Sequence, residues 1–147
     1  MRYEGTITIS APRGVVWVFL TDPHQVAQCA PGVESVETIV PDYKFRANAA
    51  IGFGSVKARF TGVVEFQELE PPTRAKLKAH GDAPGSAADV VSEMVLTDGP
   101  DGTTEMKWSV DIVVLGTLAS LAARLMSSIT QKLTAQFFDC LKAKIEA

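Results

Sequence analysis

Almost nothing in this chain announces chemistry. Among its 147 residues there are two histidines and two cysteines. Cys29 and Cys140 lie far apart and match no zinc-ligand spacing, so they read as bland buried thiols of a reducing cytoplasm. Nucleophile elbow, phosphate loop and paired-histidine metal signature are all missing. Gly52-Phe53-Gly54 lacks the third glycine and the helix context of a dinucleotide loop and reads as a turn. A formal net charge of -3 offers no basic footprint to a nucleic acid. No apolar run approaches the ~18 residues of a membrane-spanning helix. The first residues, MRYEGTITI, alternate like a strand and lack the apolar core of a signal peptide. Internal repeats, low-complexity segments and linkers are also absent. The expectation is one soluble, cytoplasmic domain over residues 1–147, with a single core.

What is present is periodicity. From Leu118 to Ile145 there is neither Gly nor Pro, and Leu118, Leu121, Leu125, Ile129, Leu133, Phe137 and Leu141 recur at three- and four-residue spacings. That pattern predicts an amphipathic helix roughly 40 Å long, with an apolar stripe that winds around it. A winding stripe suits a twisted sheet. Residues 2–10 alternate as a first strand, and Ser10-Ala11-Pro12 starts a short helix with Pro12 at or near its first position. Thr21-Asp22-Pro23 ends that helix and starts another, which Ala30-Pro31-Gly32 closes.

From Val33 to Val114 nearly everything alternates, with turns at 52–54, at Pro71-Pro72, at 81–85 and at 98–102. The predicted order is β-α-α followed by six strands and the long helix. It is an α+β layer of antiparallel sheet on helix. The inward phases mix bulky Phe45, Phe60 and Trp108 with small Ala47, Ala49, Ala58, Gly62, Ala75 and Ala79. Such small residues either bring the layers together or leave room between them, and the residues alone leave both open.

Several segments resemble the CoxG family of carbon monoxide dehydrogenase accessory proteins, within the START-like (SRPBCC, Bet v 1-like) superfamily. They are Ala11-Pro12 with Val16-Trp17, Leu20 to Pro23, Cys29-Ala30-Pro31-Gly32-Val33-Glu34, Gly54 to Gly62, Glu70-Pro71-Pro72, Gly81 with Gly85, Leu115 to Ala119, and Gln136-Phe137-Phe138. The resemblance implies the helix-grip fold: a seven-stranded antiparallel sheet wrapped around the C-terminal helix, two short helices after strand 1, and an apolar cavity between sheet and helix. It also implies a non-catalytic protein with no metal. Its hydrophobic ligand is then a menaquinone-like prenylated quinone or a lipid. Its partner is an aerobic molybdenum-dependent CO dehydrogenase or similar hydroxylase, met peripherally at the cytoplasmic face of the inner membrane. Some relatives continue into a membrane-anchoring tail beyond the point where this sequence ends, which leaves constitutive anchoring open.

On that expectation the cavity wall comprises Phe45, Val56, Phe60, Met94, Met106, Trp108 and Val110 from the strands. Leu118, Ala122, Leu125, Met126 and Ile129 supply the helix side. The N-terminal half of the helix is expected to form the ligand wall and doorway, and its C-terminal half to pack. The mouth is expected between the second short helix, the Phe53 turn, the 82–87 loop and the helix start, with Val26, Phe53 and Leu118 exposed for membrane contact. Trp17 is a structural anchor. His24 and His80 are solvated or capping, and Asp89 with Glu93 form a solvated sheet face. A surface-acting recruitment or assembly factor without ligand, and a START-like enzyme of cyclase type, are the alternatives.

Overall fold

The alternating runs become strands in the computed structural model, which describes residues 1–146. The elements are β1 (Arg2–Ile9), α1 (Arg13–Thr21), α2 (Pro23–Cys29), β2 (Val33–Val40), β3 (Lys44–Phe53), β4 (Val56–Glu70), β5 (Arg74–Ala83), β6 (Ser86–Asp98), β7 (Thr104–Gly116) and α3 (Ala119–Ile145), with a short 3₁₀ turn at Pro100–Gly102. They build one seven-stranded antiparallel sheet in the order β1-β7-β6-β5-β4-β3-β2. Strands β2 to β7 follow one another as a meander, and β1 closes onto β7, with Tyr3 opposite Val110 and Ile7 opposite Met106. The expected helix-grip architecture is what the chain adopts.

Local chemistry places the breaks. Pro12 is the cap of α1 rather than its first residue, and its carbonyl accepts from the amides of Val15 and Val16. Asp22 caps α2 by accepting from the amides of His24 and Gln25, and Pro23 follows at a position where its missing N–H costs nothing. Register shifts on β2 and between Phe66 and Glu68 on β4 interrupt the ladder, as bulges that bend and twist a strand do. Gly81 lies inside β5, and the turn that follows centres on Gly85, whose φ of +73° needs a glycine.

The packed core comes in two pieces. At one end Ile9, Val16, Phe19, Leu96 and Leu141 gather with Phe45 and Phe66. At the other Phe53, Ala58, Leu118, Ala122 and Met126 pack together. Each cluster borders a cavity between sheet and helix: Phe66, Ala75 and Met106 of the first line one, and Phe53 and Met126 of the second line another.

Cys29 and Cys140 are not free thiols. They are joined in a disulfide, with Cα atoms 5.4 Å apart across a separation of 111 residues. Distance along the chain carries no information about this pairing, because it is α2 folding back against α3 that brings the two together. Among the described residues no helix is long and apolar enough to cross a membrane.

Candidate ligand-binding site

The hollow follows from strand register. Ala47 of β3 lies opposite Gly62 of β4, Gly62 opposite Gly81 of β5, and Gly81 opposite Ala88 of β6. Four neighbouring strands thus contribute a row with no side chain larger than a methyl group. Gly62 is obligatory: a Cβ there would lie 2.6 Å from the His80 carbonyl oxygen. Above this row sits a cavity of about 350 Å³, bounded on the helix side by Met126, Ile129, Thr130 and Leu133.

A second cavity, of about 380 Å³, lies toward α2. Met94, Met106, Trp108 and Val110 wall it from the sheet, Val26 and Pro31 from the α2 corner, and Leu133, Thr134, Phe137 and Phe138 from α3. Leu133 belongs to both cavities. The Trp108 ring rests over Gly5, where any side chain would strike it, and stacks at a tilt on Phe138 with centroids 5.9 Å apart. Each cavity falls in the range of small-molecule sites, roughly 300–1,000 Å³.

Charge is kept out of this space. His80 borders the first cavity, but its ring is tied to Asp89 (2.6 Å) and Asp82 (3.1 Å) at the surface. Those hydrogen bonds, Asp89 first, raise its pKa above the ordinary 6.5. Glu93 borders the second cavity, and Arg74 Nε donates to its carboxylate at 3.1 Å, which holds its pKa below 4.5. Among the described residues no three His, Cys, Asp or Glu side chains converge to hold a metal. What the walls offer a guest is dispersion, aromatic faces and a few hydroxyls.

The predicted wall residues divide. Phe60, Met126 and Ile129 line the first cavity, and Met94, Met106, Trp108 and Val110 the second. Phe45 lines neither: it is buried edge-on against Phe66, which itself lines the second cavity. Val56 points to solvent at 42% exposure. Leu118, Ala122 and Leu125 belong to the packed plug around Phe53, because Ala122 lets the helix come close enough to close the gap. The helix therefore works in thirds. Its start packs, its middle from Met126 to Phe138 walls the hollow, and its end at Leu141 packs again.

The expected exposed tips are not exposed: Phe53 is 3% and Leu118 8% accessible, Phe53 lines the first cavity, and Val26 sits in the second cavity's wall. That end is sealed by the Thr117 amide donating to Gly85 O (2.9 Å) and the Leu118 amide to Ser86 Oγ (3.0 Å). A depression of about 170 Å³ lies beside Pro31, Gly32, Lys132 and Gln136. It shares Ile51, Ile129 and Leu133 with the first cavity, and Pro31 and Leu133 with the second. Reasoning on single strands missed Gly81 and Ala88, because the row they complete exists only once the strands are paired.

The family model for CoxG, the G subunit of carbon monoxide dehydrogenase, matches residues 5–146. The chain belongs to this family. Among solved structures, this CoxG-family chain is similar to a conserved protein from Geobacillus kaustophilus, at 25% identity and a TM-score of 0.90, covering 99% of this chain and 95% of that one. More distant is the Zhui aromatase/cyclase from Streptomyces sp. R1128, at 16% identity and a TM-score of 0.76, covering 99% and 93%. A START superfamily protein from Mycobacterium smegmatis shares 10% identity with a TM-score of 0.66, covering 99% and 97%, and likewise speaks to the fold alone. Among curated proteins none matches the chain. Family and fold together support an accessory, ligand-binding role for this CoxG-family chain.

Proposed function

We propose that the chain is a non-catalytic carrier of a hydrophobic ligand, a menaquinone-like prenylated quinone or a lipid. In this reading it serves a molybdenum-dependent carbon monoxide dehydrogenase by linking that enzyme to the membrane quinone pool through peripheral contact. The observation that carries the proposal is the pair of apolar cavities that share Leu133. Polarizable Met94, Met106 and Met126 with Trp108 suit a flexible lipid guest. The family name supplies the enzyme partner.

Trp108 provides the test, since it lines the second cavity whereas Trp17 lines an outer groove. In a Trp17→Phe variant, titration with a short-tailed menaquinone is expected to quench the remaining fluorescence saturably at one ligand per chain. Quenching that never saturates, or that a Trp108→Phe variant shows equally, contradicts the carrier reading and favours a recruitment factor acting through its surface.

A further inference from the structure

Hydroxyl groups along the inner surface generally find partners inside the protein. Fully buried Thr104 donates to the Ala11 carbonyl at 2.7 Å, and Ser92 donates to Ser109 O at 3.1 Å. On α1, Thr21 bonds back to Trp17 O, as helical threonines commonly do. Thr130 and Thr134 of α3 make no such bond among the described residues, although both border the hollow. They are four residues apart, hence on one helix face and about 6 Å apart along its axis. Thr130 borders the first cavity, Thr134 the second, and Leu133 between them borders both.

Two free donors thus straddle the junction of two apolar chambers. A hydroxyl covered by an apolar guest and left unpaired costs free energy, so the favourable guest places acceptor oxygens there. Two acceptors set at opposite ends of one ring span a similar distance. A charged head group finds no free counter-charge here: Glu93 is already held by Arg74, and among the described residues lining the cavities and the neighbouring depression the one lysine or arginine, Lys132, stands at the depression. We propose that Thr130 and Thr134 form the head-group site for a neutral ring carrying carbonyl oxygens, seated at Leu133 with its apolar tail along one of the chambers. This assignment rests on the carrier reading and specifies the chemical class that the carrier selects.

The test compares two probes on the intact chain: a short-tailed menaquinone, and the equally prenylated naphthalene that lacks both carbonyl oxygens. Thr130→Val and Thr134→Val are each expected to weaken menaquinone binding by about 2- to 10-fold. The hydrocarbon should bind the same variants as tightly as it binds the unmodified chain. Thr130→Ser and Thr134→Ser, which keep the hydroxyl, should retain quinone affinity, and melting curves identify any variant that loses its fold. Equal losses for both probes, or valine variants that leave the preference for the quinone intact, overturn the assignment while the carrier reading stands. Failure of the unmodified chain to bind either probe overturns the carrier reading itself.

Discussion

At Gly62 the fold has no room for a Cβ, and at Gly81, directly opposite, a Cβ would meet the Phe60 side chain at ordinary contact distance. The two glycines of the row therefore differ in kind. Gly62→Ala is expected to cost about 1–3 kcal/mol, because the obstruction is main chain, which cannot swing aside. Gly81→Ala should be far milder and should narrow the first cavity; chemical denaturation of the two variants checks the contrast. His80 is a second residue whose environment makes a definite prediction. Its bonds to Asp89 and Asp82 raise its pKa above 6.5, so the interaction stabilises the fold fully below that value and is lost as pH rises through the folded-state pKa. An NMR titration should place His80 above 6.5, and Asp89→Asn should lower it. Glu93 runs the other way: its depressed pKa gives stability that is present above 4.5 and lost as pH falls through the folded value.

Among the elements, α2 is the shortest α-helix and the one fastened covalently, through Cys29 to Cys140 near the end of α3. The bond closes a loop of 111 residues, and loops of that length gain most from closure in the unfolded chain. Reduction, or a Cys29→Ala/Cys140→Ala pair, is expected to lower stability by about 2–4 kcal/mol, measured as a shift in denaturation midpoint between oxidised and reduced protein. Reading the cysteines as separate thiols failed because pairing depends on tertiary contact, which residue spacing does not encode; with it falls their use as a sign of a reducing compartment. The succession of elements along the chain, the bounds of the long helix and most inward phases were legible because periods of 2 and 3.6 residues are local, although Val56, expected inward, points to solvent. What escaped was everything that depends on register: the Ala47–Gly62–Gly81–Ala88 row and the burial of Phe53 and Leu118. The helix stripe of Leu, Ile and Met reads identically over a solid core and over a hollow.

For the whole molecule, the decisive property is an interior that is open where most proteins are filled. Adding atoms to a packed core costs roughly 1–3 kcal/mol, whereas adding them to an empty apolar chamber gains about 0.8 kcal/mol per buried methylene. Ala47→Leu, in the row beneath the first cavity, is accordingly expected to leave the ligand-free protein as stable as before or more so, while abolishing uptake in that chamber. A fall in melting temperature typical of overpacking would show the space to be filled already. The most direct measurement is organic extraction of the protein purified from quinone-containing cells, followed by mass spectrometry of the extract against protein concentration. A carrier should yield about one prenylated quinone or lipid per chain. An extract empty of apolar ligand, together with no uptake from menaquinone-bearing vesicles, would contradict the carrier role.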